Sequence, residues 1–119
     1  MKVLKFGGSS VANSKSLSNV ISIIKKNKNQ KIVIVVSALG GVTDILSEML
    51  YKAINKNYSF KTFLNLIEEL HLEPIQEFIP IEEQSELISF LKSKINEIED
   101  VLNAISMIMK TPKVFRLKF

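Results

Sequence analysis

The chain has 119 residues, 46% of them hydrophobic, so it can form the core of one domain, and it has no cysteine and one histidine, which excludes disulfides, thiolate chemistry and histidine-based metal clusters. Its net charge of +4 comes mainly from scattered lysines without interleaved aromatic residues, so we predict no nucleic-acid partner. It has no signal-peptide pattern and no apolar run near the ~20 residues of a membrane span, so we predict a cytoplasmic protein with no membrane partner.

The first predicted element is a short strand at residues 3–6, which ends at Gly7 and Gly8. Asn13 or Ser14 can then cap the N-terminus of a helix. Apolar residues at the helical spacing i, i+3, i+4 and i+7 follow, namely Leu17, Val20, Ile21 and Ile24. This part of the chain is therefore predicted to form a strand, a glycine loop and a helix.

The same order of elements is predicted a second time. Residues 32–36 are a continuous run of β-branched side chains, which is typical of a strand buried on both faces of a parallel sheet. The stretch S-A-L-G-G ends this strand, and apolar residues at helical spacing follow, namely Leu46, Met49, Leu50 and Ala53. We therefore predict an α/β region with a parallel sheet over residues 1–56.

A helical region is predicted for residues 57–110. Its first helix carries an apolar stripe of Phe60, Phe63, Leu64, Ile67 and Leu70. We expect Pro74 and Pro80 to break the chain, and His71 to lie at a helix end, where it can interact with the helix dipole. A heptad stripe then runs through Ile88, Leu91, Ile95, Ile98, Leu102, Ile105 and Met109, widened by Leu87, Phe90, Val101 and Ile108.

The loop after the first strand has the composition of an anion site. Gly7 and Gly8 let a ligand approach the main chain, Ser9 adds a hydroxyl donor, and Lys5 adds a compact positive charge. The spacing fits neither a Walker A loop nor a dinucleotide-binding fingerprint. A simpler alternative is that the two glycines only form a tight turn and that Lys5 is a solvated strand residue.

The loop after the second strand favours the functional alternative. It again combines a strand end, a hydroxyl at Ser37, the glycine pair Gly40 and Gly41, and a hydroxyl at Thr43 where a helix begins. Ligands of parallel sheets bind at the carboxyl ends of the strands, and adjacent strands would bring both loops side by side. One loop could then hold a phosphate and the other a small polar substrate.

Together, the motifs K-F-G-G-S-S-V and V-V-S-A-L-G-G-V-T-D closely resemble the N-terminal part of aspartate kinases, in the amino-acid kinase family. The resemblance is clear over residues 2–55 and extends to about residue 108, and the helical stretch is most similar to the kinase half of bifunctional aspartate kinase–homoserine dehydrogenases. It implies the N-terminal part of a three-layer α/β/α fold with a mostly parallel sheet. It also implies a homo-oligomer in the intact protein.

The activity that this resemblance implies is transfer of the γ-phosphoryl group of ATP to the β-carboxylate of L-aspartate. The product is 4-phospho-L-aspartate, in the first step of lysine, threonine and methionine biosynthesis. By match to the motifs, Lys5 would neutralise charge on the transferred phosphoryl group and contribute to the ATP phosphate site with Gly7, Gly8 and Ser9. Ser37 and Thr43 would line the aspartate site, and Mg²⁺ would accompany the nucleotide without dedicated metal ligands in this chain.

The resemblance stops near the end of the chain. No S-[FY]-G-E motif, whose glutamate binds aspartate in the family, is present, and residues 111–119 form a divergent or truncated tail. We therefore expect this chain alone to be an incomplete, inactive fragment of the kinase. Two alternatives are a non-catalytic helical interaction module built on the 88–109 stripe, which leaves both glycine loops unexplained, and an amino-acid kinase acting on glutamate or a nucleotide, which the K-F-G-G-S-S motif disfavours.

Overall fold

The computed structural model describes residues 1–109, which divide into two compact units. The first, Met1–Val42, is here called the sheet unit, and the second, which begins at Thr43, the helical unit. Along the described chain the elements are β1 (Lys2–Phe6), a 3-10 turn (Gly8–Val11), α1 (Ser14–Lys26), β2 (Ile32–Val36), α2 (Val42–Ile54), a second 3-10 turn (Tyr58–Phe60), α3 (Lys61–Phe78) and α4 (Ile81–Ile108). The predicted tail, residues 111–119, lies outside the described residues.

The sheet unit contains the predicted parallel strand pair. β1 and β2 are hydrogen-bonded neighbours in parallel orientation, in a register that places Lys5 beside Val35 and Phe6 beside Val36. The crossover between them is α1, which begins after Asn13, whose side-chain oxygen accepts a 3.0 Å hydrogen bond from the Ser16 N–H. The α/β character is thus confirmed for this small two-stranded sheet, while most of the described chain is helical.

One face of the sheet carries the core of this unit. Phe6, Val11 and Val20 are buried, and partly buried side chains of Leu4, Leu17, Ile24 and Leu39 pack against them. Successive side chains of a strand point to opposite faces, so Leu4 and Phe6 share the covered face while Lys5 lies on the other. Lys5 is exposed accordingly.

The prediction that residues 32–36 are buried on both faces is wrong for the described chain. Val33, Ile34 and Val35 are 41–45% exposed, and Val36 is 57% exposed. In the described residues β2 has a strand neighbour on one side only, and the buried cluster takes no residue from β2. The β-branched run shows that these residues favour a strand, but burial depends on neighbours that the run does not specify.

The helical unit is built around one hydrophobic cluster. Its fully or nearly buried members are Met49, Ala53, Phe60, Leu64, Ile67 and Leu102. Ile95, Ile98 and Ile105 of the predicted heptad stripe pack against this cluster. The stripe of α4 therefore packs mainly within its own unit.

None of the described helices combines the length and the apolar character that a membrane span requires.

The C-terminus of α2 is held by backbone and side-chain hydrogen bonds. The Asn57 N–H donates to the Lys52 carbonyl at 2.8 Å and the Lys56 N–H donates to the Ala53 carbonyl at 3.1 Å, which is the pattern of a Schellman motif. Lys56 occupies the left-handed position, φ 57°, that glycine usually takes. The buried Ser106 hydroxyl of α4 also donates to the Ala53 carbonyl, at 2.8 Å. This bond ties α4 to the end of α2.

Two predictions for α3 are wrong. Pro74 lies inside the helix, which continues to Phe78, and His71 therefore lies in the helix interior and not at its end. Proline removes one backbone hydrogen bond from the helix. Ile67 and Ile75, on either side of Pro74, are buried, and their packing outweighs this local cost. His71 Nδ1 lies 2.7 Å from the Ile67 carbonyl, to which its N–H can donate within the same helix. Pro80 separates α3 from α4 as predicted.

Candidate functional site

The carboxyl edge of the sheet brings both predicted loops together. The Ser37 N–H, directly after β2, donates a 3.1 Å hydrogen bond to the carbonyl of Phe6, the last residue of β1. A Cβ atom placed on Gly8 would lie 3.8 Å from the Ser37 hydroxyl oxygen. Lys5 is the residue before the last in β1, and Gly7 follows the strand directly. These residues therefore form one continuous surface at the sheet edge.

The structural reason for glycine differs between the two glycine pairs. A Cβ atom on Gly40 would lie 2.9 Å from both the Cα and the carbonyl oxygen of Ala12, and Gly41 has the left-handed φ of +82°. Gly7 has an extended backbone, and a Cβ there would meet nothing within 4 Å. The contact at Gly8 is an ordinary one. The fold therefore requires the second pair, whereas the first pair leaves an open space in front of the main chain.

Some backbone N–H groups at this open space take no part in the regular backbone hydrogen bonding of the sheet unit. The strand ladder ends with the N–H of Ser37, and the short 3-10 turn begins with the Ser10 N–H donating to the Gly7 carbonyl at 3.0 Å. The N–H groups of Gly8 and Ser9 belong to neither pattern within the described chain. Both residues are exposed. Their N–H groups can therefore be offered to an acceptor outside the chain.

The charge of the sheet unit is of one sign. Met1–Val42 contains seven lysines and no aspartate or glutamate. An exclusively positive unit attracts polyanions, and Lys5 is the lysine at the sheet edge, next to the open glycines. The uneven distribution of charge can be read from the sequence, but the net charge of +4 conceals it. All acidic residues lie from Asp44 onward, and they offset the lysines of the sheet unit in the total.

The donor set of this edge does not fit a directly bound divalent cation. Magnesium prefers carboxylate and other oxygen ligands, and the sheet unit has no carboxylate side chain. Among residues 1–109 no three or more acidic or histidine side chains are placed so that they could hold a metal ion together. A metal ion at this edge would be held by the oxygens of a bound phosphate.

The two residues predicted to bind the substrate are in different units. Ser37 is exposed at the sheet edge, and its hydroxyl donates to the Ala38 carbonyl at 2.8 Å. Thr43 belongs to the helical unit and is exposed in the first turn of α2. Because α2 begins at Val42, Thr43 is already inside the helix and does not occupy the N-cap position.

A groove with a volume of about 430 Å³ lies between α3 and α4. Each helix contributes the same sequence pattern, K-x-x-[LI]-N-x-x-E: on α3 it covers Lys61 to Glu68 and on α4 Lys92 to Glu99. Lys92 and Glu68 form an ion pair across the groove at 3.7 Å. Its charges are balanced between the two helices, so this groove shows no preference for a charged ligand.

Known proteins resemble this chain over most of its length. The sequence matches the amino acid kinase family over residues 1–111. It is 30% identical, over 98% of its own length, to a bifunctional aspartokinase/homoserine dehydrogenase of Buchnera aphidicola, of which it covers 15%. It is 33% identical, over 88% of its length, to aspartokinase 1, chloroplastic, of Arabidopsis thaliana, of which it covers 18%. The chain thus spans less than one fifth of the length of these relatives.

Proposed function

Because the chain belongs to the amino acid kinase family, we propose that its sheet unit forms the phosphate-binding part of an aspartate kinase. The reaction would transfer the γ-phosphoryl group of ATP to the β-carboxylate of L-aspartate and give 4-phospho-L-aspartate. Similarity to proteins named aspartokinase supports this acceptor over glutamate or a nucleotide. A wholly non-catalytic helical module is less favoured, because most of the stripe on which it would depend packs inside the helical unit.

The observation that carries the proposal is the open backbone at Gly7 and Gly8. Neither the backbone angles of Gly7 nor close contacts at either position demand glycine, so an external ligand is the best reason for the missing side chains. Lys5 stands at the same strand end in a unit without negative side chains. We assign the ATP phosphates to Lys5 and to the backbone of Gly7, Gly8 and Ser9.

The proposed chemistry needs charge stabilisation more than acid–base catalysis. The attacking group, a carboxylate, is already ionised near neutral pH, so no base is needed to activate it. One P–O bond forms to the β-carboxylate oxygen while the bond to the bridging oxygen of the nucleotide breaks. The Lys5 ammonium would offset negative charge on the phosphoryl oxygens, which is the main catalytic requirement of phosphoryl transfer. The absence of acids and histidines from the sheet unit agrees with this assignment.

Several wider features belong to the same proposal. We assign residues 1–56 and 57–110 to the α/β and helical parts of one kinase domain, within a three-layer α/β/α fold in the intact protein. Its homo-oligomeric state, its cytoplasmic location and the use of Mg²⁺ with ATP stay predictions. In such a fold the sheet face that carries Lys5 would be covered by further parts of the domain.

A chimeric enzyme tests the proposed function. Residues 1–109 would replace the matching segment of the Buchnera aphidicola relative, and acyl-phosphate formation would be measured as hydroxamate with ATP and an amino acid. We expect activity that depends on L-aspartate and is at least about tenfold lower with L-glutamate, while the 119-residue chain alone shows none. A folded chimera without aspartate-dependent activity, or one that prefers glutamate, would contradict the proposal.

Replacing Thr43 with valine in this chimera tests the assignment of the aspartate site. Loss of a hydroxyl that binds the charged substrate should raise the KM for aspartate by roughly tenfold, with the KM for ATP unchanged. The melting temperature should change little, because Thr43 is exposed and is not the N-cap of α2. Ser47→Ala, one turn further along α2, is the matched control. If the two variants give the same KM for aspartate, Thr43 does not contact it.

A further inference from the structure

Helix α4 carries a second heptad stripe, on the side that the helical unit leaves exposed. Its apolar members are well exposed: Leu87 by 37%, Phe90 by 59% and Val101 by 58%. Lys94, Glu97 and Ala104, which are also exposed, complete the same spacing of three and four residues. These six residues, called the outer stripe, each lie one position before a residue of the inner stripe that was predicted from the sequence. Apolar side chains at this spacing pack against a partner helix in coiled coils, and four of the six members of the outer stripe are apolar.

The outer stripe is self-complementary when it meets itself in the antiparallel direction. We propose that it forms a two-fold symmetric contact with the outer stripe of a second copy of the chain, with the axis between Lys94 and Glu97. In that register Leu87 lies opposite Ala104 of the second copy, Phe90 opposite Val101, and Lys94 opposite Glu97. Each large side chain thus meets a smaller one, and every contact occurs twice, as an isologous interface requires.

The two charged members determine the direction of the pairing. Within one chain the Lys94 ammonium lies 3.3 Å from the Glu97 carboxylate oxygen Oε2 and 5.3 Å from the centre of the Phe90 ring. In an antiparallel pair, both ion pairs can also form between the two copies. In a parallel pair in register, Lys94 would face Lys94 and Glu97 would face Glu97, and like charges in an interface are strongly unfavourable.

A second copy fits this surface better than a different partner. An unrelated helix would have to reproduce the order apolar, apolar, positive, negative, apolar, small in reverse, whereas a copy of α4 carries it already. Phe90, one turn from Lys94 at the proposed axis, is an exposed aromatic residue, the type that often dominates such contacts. The proposal does not depend on the proposed kinase activity, because it involves only α4.

Sedimentation equilibrium of the 119-residue chain tests the pairing. We expect a monomer–dimer equilibrium in which Lys94→Glu or Glu97→Lys alone raises the dimer dissociation constant at least about tenfold. The double variant, which exchanges the two charges, should return it to within about threefold of the original value. Lys28→Glu, an identical charge change at an exposed residue of the sheet unit, is the control. A chain that stays monomeric at about 1 mM, or a double variant as weak as the single ones, would overturn the proposal.

Disulfide cross-linking measures the direction and the register separately. The chain has no cysteine, so Leu87→Cys and Ala104→Cys introduce the only thiols. Within one helix these positions are about 25 Å apart, too far for an internal bond. Oxidation should link two chains efficiently in the double variant and poorly in either single variant. Efficient linking of a single variant would indicate a parallel pair, and absence of linking in all three would exclude this contact. Circular dichroism of each variant confirms that α4 is intact.

Discussion

Replacement of Lys5 by alanine in the active chimera should lower kcat by about 100-fold or more, with a smaller effect on the KM for ATP. A positive charge held in place before the reaction stabilises the transition state most when it lies near the phosphoryl oxygens, where negative charge redistributes. Lys5 carries such a charge at the sheet edge, beside the open glycines. The exposed side chain belongs to no buried cluster, so the melting temperature should stay within a few degrees. Steady-state kinetics and a thermal melt measure both quantities.

Lys26→Ala is the matched control for this experiment. Lys26 is an exposed lysine in the last turn of α1, at the opposite end of that helix from the glycine loop, and its replacement changes the total charge equally. We expect kcat of this variant to stay within about twofold, because long-range charge effects are largely screened at physiological salt. If Lys5→Ala and Lys26→Ala behave alike, Lys5 is a solvated strand residue and the phosphate assignment fails.

Replacement of Phe60 by alanine should unfold most of the helical unit. Phe60 is fully buried in the cluster with Met49 and Leu64, and removal of a buried phenylalanine ring costs about 3–5 kcal/mol. A loss of this size approaches the total stability of a small domain. The sheet unit has its own cluster around Phe6, so the loss should fall mainly on helical signal. Urea unfolding followed by circular dichroism at the helical band measures the effect.

Tyr58→Ala provides the control for the core substitution. The Tyr58 ring lies 6.2 Å from that of Phe60, but Tyr58 is 53% exposed. Its removal should therefore cost under about 1 kcal/mol, in the usual range for a surface position. Equal losses for the two variants would mean that Phe60 does not organise the core of the helical unit.

The local elements of this chain were predictable, but their surroundings were not. The strand at residues 32–36 follows from its β-branched side chains, and the cap at Asn13 follows from its short polar side chain. Exposure of β2 depends on the number of neighbouring strands, which a single segment does not encode. Pro74 was predicted to end a helix because local propensity favours a break, whereas packing of Ile75 sustains the helix.

The candidate site, too, was predictable only in part from the sequence. Spacing predicted that two glycine loops would meet at one sheet edge, and β1 and β2 are adjacent and parallel. The roles of Gly7 and Gly40 cannot be distinguished from sequence, because the distinction rests on what a Cβ atom would touch. The two stripes of α4 differ for a similar reason. Both have heptad spacing, and only tertiary packing selects the one that faces the core.

The exposed second strand has a consequence for the behaviour of the chain at high concentration. In the described residues β2 pairs with β1 along one edge, which leaves alternate backbone N–H and C=O groups of Ile32, Ile34 and Val36 on the other. The segment I-V-I-V-V has no charge, no proline and no glycine. Such a segment on a free edge is a template for cross-β stacking, in which identical strands add to one another without limit. Slow fibril growth from this edge would therefore compete with native folding, and it would not respond to the charges of α4.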